Sequence, residues 1–154
     1  MKKITLFFLV LILLCSCERE EKFVPPSGEY ILECKIEDVT YLLTLELSED
    51  LSGSVRFNGG AMSDWSYQRS PDGKIKCFTS LQNEIEVKQD IIETIFDFVT
   101  LSEDALDAYH ENADGKDVSV LKLANGSRVY TDSQSGAPIR MEKGNMTCEI
   151  ISRP

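Results

Sequence analysis

The chain has 154 residues, 42% of them hydrophobic and 27% charged, with 26 acidic side chains against 16 basic ones and a formal net charge of −10. This length supports one hydrophobic core and not two. An acidic surplus with no basic cluster excludes a nucleic-acid-binding face, which needs Lys and Arg gathered against phosphates.

The chain opens on a short basic start, Met1-Lys2-Lys3, followed by an apolar run from Ile4 to Leu14. The run is too short for a permanent helical span, which needs about 20 residues, and it has the layout of a secretory signal. Glu18-Arg19-Glu20-Glu21-Lys22 ends it with charge. Cys15 follows the bulky Leu13 and Leu14, whereas Cys17 has Ser16 beside it and Leu14 three residues before. The quartet Leu14-Cys15-Ser16-Cys17 resembles the lipobox of bacterial lipoproteins. That resemblance implies a signal peptide over 1–16, recognised by its peptidase through Leu14, Cys15 and Ser16. It also implies a diacylglycerol thioether on the Cys17 sulfur, further acylation by a fatty acid such as palmitate, and attachment to a membrane of the cell envelope. Two or more acyl chains hold a protein stably where one does not. Lys2 and Lys3 leave with the leader, so the mature part carries 14 basic against 26 acidic residues, a net of −12. Such a charge opposes lying flat on anionic lipid.

Residues 17–27, with Pro25-Pro26-Ser27, read as a flexible tether to a single domain over 28–154. From Gly28 the period becomes two, as in half-buried strands. Tyr30, Leu32, Cys34 and Ile36 alternate against Glu33 and Lys35; after the break at Glu37-Asp38, Val39, Tyr41, Leu43, Leu45 and Leu47 alternate again. These two strands predict an antiparallel hairpin. Ser54–Phe57, Ser63–Gln68, Ile75–Thr79 and Ile85–Val87 read as shorter strands, with Ser70-Pro71-Asp72-Gly73 a turn in which Pro presets φ and Gly accepts a positive one.

Between residues 89 and 112 the spacing turns helical. Ile91, Ile92, Ile95, Phe96 and Val99 form an amphipathic stripe. Thr100-Leu101-Ser102-Glu103 fits a capping box, predicting a second short helix anchored by Leu106 and Tyr109 and ended by Asp114-Gly115. Four strands then follow around the turns Asn125-Gly126, Ser133–Gly136 and Lys143-Gly144-Asn145. The predicted fold is mainly β (α+β): a curved antiparallel sheet or half-barrel, with one or two helices inserted before a C-terminal β-meander.

With Asp132-Ser133-Gln134-Ser135-Gly136-Ala137-Pro138-Ile139, this order of elements resembles the outer-membrane lipoprotein carrier (LolA-like) superfamily. The resemblance implies a half-open barrel covered by helices, with an apolar concavity for acyl chains. A lipid on Cys17 makes free shuttling a poor fit, and an anchored envelope protein a better one.

No catalytic residue is identified, and the chain is read as a non-enzyme. GxSxG, HExxH and phosphate-loop patterns are absent from the sequence. His110, its one histidine, is placed at a solvated helix end. Neither CxxC nor Cys/His zinc spacing occurs, so no metal or cofactor is predicted. Beyond Cys17 and the leader's Cys15, Cys34, Cys77 and Cys148 remain. Core thiols are the preferred reading, and one disulfide the alternative. Trp65, Tyr67 and Leu42 are candidate ligand-facing or core residues; Leu42 and Ile31 are apolar on otherwise polar strand faces, as expected where both faces are covered. Two functions stay open: a lipid-anchored module binding an apolar ligand or lipid, or an envelope structural protein whose partner is another protein.

Overall fold

The computed structural model describes residues 23–59, 63, 65–79, 84–85, 90–102, 104–113 and 115–154. The leader and Cys17 lie outside them. Among the described residues an eleven-stranded, curved antiparallel sheet carries one α-helix. The strands are β1 (Gly28–Ile36), β2 (Val39–Leu47), β3 (Gly53–Phe57), β4 (Ser66–Arg69), β5 (Ile75–Phe78), β6 (Glu84–Ile85), β7 (Ala105–Ala113), β8 (Lys116–Leu123), β9 (Arg128–Asp132), β10 (Pro138–Lys143) and β11 (Met146–Ser152). The helix α1 (Asp90–Thr100) connects β6 to β7, the two edges of the sheet. The sheet order is β6-β5-β4-β3-β2-β1-β11-β10-β9-β8-β7. Two meanders therefore meet at a single seam, β1 against β11.

Alternation explains the register. Leu32 stands opposite Leu43, Leu43 opposite Phe57, Leu45 opposite Val55, and Val55 opposite Tyr67. All of these are buried and point to the face that α1 covers. Glu37, at φ 56°, turns the predicted β1–β2 hairpin, and its N–H donates to the Asn145 carbonyl of the neighbouring turn at 3.0 Å. At Gly53 any side chain would collide with the Glu46 carbonyl, since a Cβ there would lie 2.1 Å from that oxygen.

At the seam, Cys34 lies directly opposite Cys148 and the two form a disulfide; both are fully buried. This corrects the preferred reading of these two residues as core thiols. Cys77 remains a buried free thiol. It lies opposite Tyr67, whose phenol burial and, secondarily, the Cys77 thiol push up to about 12. The neutral phenol is thus favoured by folding. Its contribution is fully present below the ordinary tyrosine value near 10 and is lost as pH rises towards 12. Chemical denaturation should show stability falling between pH 10 and 12, and Tyr67→Phe should flatten that slope; an unchanged slope would place the effect on another group.

The stripe on α1 is as expected at Ile92, Ile95, Phe96 and Val99, with Phe98 also buried; Ile91 is instead 42% exposed. Asp90 and Glu93 favour the first turn by facing the positive end of the helix dipole. Three polar residues of α1, Thr94, Asp97 and Thr100, are buried with it, and the sheet pins the first two. Lys143 Nζ donates to Thr94 Oγ1 at 2.9 Å, and Arg69 approaches Asp97 at 3.9 Å while stacking over the Phe96 ring at 5.4 Å.

The expected second helix is a strand. Leu101 leaves α1 at φ 47°, Thr100 Oγ1 bonds back to the Phe96 carbonyl, and Ser102 Oγ bonds back to Asp97 at 2.7 Å. The Thr100 hydroxyl, expected to cap a second helix, thus bonds back into the first. Residues 105–113 then pair along β8 as a nearly fully exposed edge strand, with a bulge between Ala105 and Asp107 and Leu106 left 75% exposed.

Candidate functional site

α1 covers the middle of the concave face and leaves its β7–β9 end open. A groove of about 820 Å³ lies there. Its apolar wall comes from Leu101 at the end of α1, Ala105 and Ala108 on β7, Leu121 on β8, and Phe23 from the segment before β1. The register accounts for this set. Ala108 lies opposite Leu121, and Leu121 opposite Val129, which is fully buried, so the groove floor continues the core's own row of side chains.

Polar groups follow one step further along the same sheet face. Ser119 Oγ and His110 Nδ1 are 3.0 Å apart on neighbouring strands, and Thr131 Oγ1 donates to the Ser119 carbonyl at 3.2 Å. His110 is therefore a strand residue facing the groove, not a helix-end residue. The Asp132–Gly136 turn closes this side. Asp132 Oδ1 accepts from the backbone N–H groups of Gln134 and Ser135 and from Ser135 Oγ. These bonds, led by the Ser135 N–H, hold the Asp132 carboxyl below its ordinary range. Gly136 occupies φ 68°, where a side chain would be strained.

Phe23 sits at the groove because the residues before β1 lie against the domain. It packs on the core, Pro25 is buried, and Tyr30 Oη donates to the Pro26 carbonyl at 2.7 Å. Of residues 17–27, expected as a flexible tether, Phe23 and Pro25 therefore pack on the domain. Gly28 fixes their exit, since a Cβ there would meet the Pro154 ring at 2.7 Å.

Of the residues singled out from sequence, Tyr67 is core and pairs edge-to-face with Phe57 at 6.0 Å. Trp65 packs partly buried against the same core. Neither lines the groove. Leu42 is 45% exposed on the outer face opposite Glu33, which corrects the expectation that both faces are covered there. Leu14, Cys15, Ser16 and Cys17 lie outside the described residues. Reading Ala105, Ala108 and His110 as helical hid the groove; Leu121 appeared only as a strand residue.

A smaller cleft of about 350 Å³ is lined by Glu46, Ser54, Gln68 and Lys76, one row across four strands, together with the adjoining turns. It is a polar sheet surface. Among the described residues no three His, Cys, Asp or Glu side chains are placed to hold a metal ion, and no helix is long and apolar enough to cross a membrane.

No protein-family model matches the chain, and no curated protein matches it. Among solved structures it is similar to a LolA superfamily protein from Nitrosomonas europaea. The TM-score is 0.44 and the identity 11%, over 79% of this chain and 66% of that one. The chain thus spans just under two thirds of that protein's length.

Proposed function

We propose that this is a lipid-anchored protein of the bacterial cell envelope whose groove binds one apolar chain of an amphiphile. The observation that carries the reading is the groove itself: about 820 Å³, within the usual range of small-molecule sites, with an apolar row of side chains followed by a polar one. An acyl chain would lie along Leu101, Ala108 and Leu121, with its polar end towards His110, Ser119 and the Asp132–Gly136 turn. The Cys34–Cys148 disulfide supports export, because such bonds persist in oxidising compartments. The Leu14–Cys17 quartet supports the anchor.

Ala108 is exposed, so a larger side chain there costs the fold little and fills the groove. Ala108→Trp should abolish saturable binding of a fluorescent fatty acid to the soluble domain, with the unfolding midpoint unchanged. Undiminished binding would place the ligand elsewhere.

One observation favours a second reading, an interaction protein. β7 is a nine-residue exposed edge whose outward N–H and C=O groups can template a partner strand. A partner protein docked there would protect the amides of β7 from hydrogen exchange without occupying the groove.

A further inference from the structure

We infer that the end of the sheet carrying Phe23 and the Asp132–Gly136 turn, which rim one end of the groove, faces the anchoring bilayer, about 20 Å or less from its surface. The inference rests on the proposed lipidation of Cys17 and adds to it a direction and a distance. The described chain begins at Phe23, and Phe23 lines the groove. Six residue steps separate it from Cys17. At ~3.3–3.6 Å per step, the lipid cannot lie more than about 20 Å from Phe23.

Strand direction settles which end this is. β1 starts beside the docked segment, and its antiparallel neighbours put the β2–β3, β4–β5, β7–β8 and β9–β10 turns at the same end. The turns at Glu37-Asp38, Asn125-Gly126 and Gly144-Asn145 lie at the other, a β1 length away, about 30 Å for nine residues.

Docking of Phe23 and Pro25 removes the slack that a free stalk over 17–27 would have given, so the domain cannot turn its far end to the membrane. Glu49, Asp50 and Asp132 at the near end repel anionic lipid, whereas Asp72 there is paired with Lys74 at 2.8 Å, and the repulsion acts only within a Debye length of about 8 Å. This end of the groove therefore stands off the surface without inserting, and an amphiphile leaving the bilayer meets it first.

The test uses full-length lipidated protein on vesicles of phosphatidylethanolamine and phosphatidylglycerol carrying a headgroup energy-transfer acceptor. A donor dye is placed on Gln134→Cys, in the β9–β10 turn, or on Asp38→Cys, in the β1–β2 turn; the buried Cys77 stays unlabelled. Transfer should be several-fold stronger from position 134 than from 38. A flexible Gly/Ser insert of ~20 residues after Lys22 should weaken it and make the two positions equal. Flotation with equal transfer from both positions, or stronger transfer from 38, overturns the orientation while leaving the anchor intact. Failure of the wild-type protein to float, or flotation undiminished in Cys17→Ala, overturns the anchor at Cys17 and the orientation with it.

Discussion

Removing the Cys34–Cys148 disulfide is expected to lower the unfolding free energy by about 4–5 kcal/mol, the largest loss any local change should produce. The bond joins residues 114 apart, and a cross-link closing a loop of this size restricts the unfolded chain by roughly that amount. It also sits at the seam. β1–β11 is the pairing that holds the two meanders in one sheet, and Cys34 and Cys148 are opposed residues in it. Urea denaturation of the Cys34→Ala/Cys148→Ala protein against wild type measures the loss, with Cys77→Ala reporting what a buried thiol contributes by packing alone. A double variant no less stable than the Cys77→Ala control would mean that the bond does not form.

The second large effect is expected at Phe96. Its ring is fully buried between α1 and the sheet and lies under the Arg69 guanidinium. Phe96→Ala leaves a cavity and strips that cation of its aromatic neighbour, together costing about 3–5 kcal/mol. Ile91→Ala, five residues earlier and on the exposed side, should change stability by less than about 0.5 kcal/mol. Equal losses at the two positions would mean that α1 is not held on the sheet by this face.

Particular residues show what the sequence disclosed. Wherever one strand face is buried and the next strand follows a tight turn, the alternation is local and legible: Tyr30 to Ile36 and Tyr41 to Leu47 give their hairpin, and Met146 to Ile150 gives the last strand. The stripe Ile92, Ile95, Phe96 and Val99 disclosed α1 for the same reason. β7 was hidden because an edge strand exposed on both faces has no alternation to show. Leu106 and Tyr109 happen to be spaced like helix anchors, and where Asp114-Gly115 reads as a helix stop, Ala113 instead pairs with Lys116 across a hairpin. An Asp-Gly pair is as much a hairpin signal as a helix terminator. Pairing with β8 decided the matter, and that is a tertiary effect.

The same limit explains the disulfide and the groove. Nothing local relates Cys34 to Cys148; only the closure of β1 on β11 brings them together. The groove draws on Phe23, Leu101, Ala108, Leu121 and the Asp132–Gly136 turn, which no single stretch contains. Of Trp65 and Tyr67, the aromatic pair that looked most like a platform, Tyr67 on β4 went to the core and Trp65, just before the strand, packs partly buried against it.

The central claim, that the open end of the sheet holds an amphiphile, is tested most directly by native mass spectrometry of residues 18–154, alone and with added fatty acid. A single added mass on the wild-type protein, absent from Ala108→Trp, is the predicted result. A wild-type spectrum showing only the bare chain at every fatty-acid concentration would contradict it.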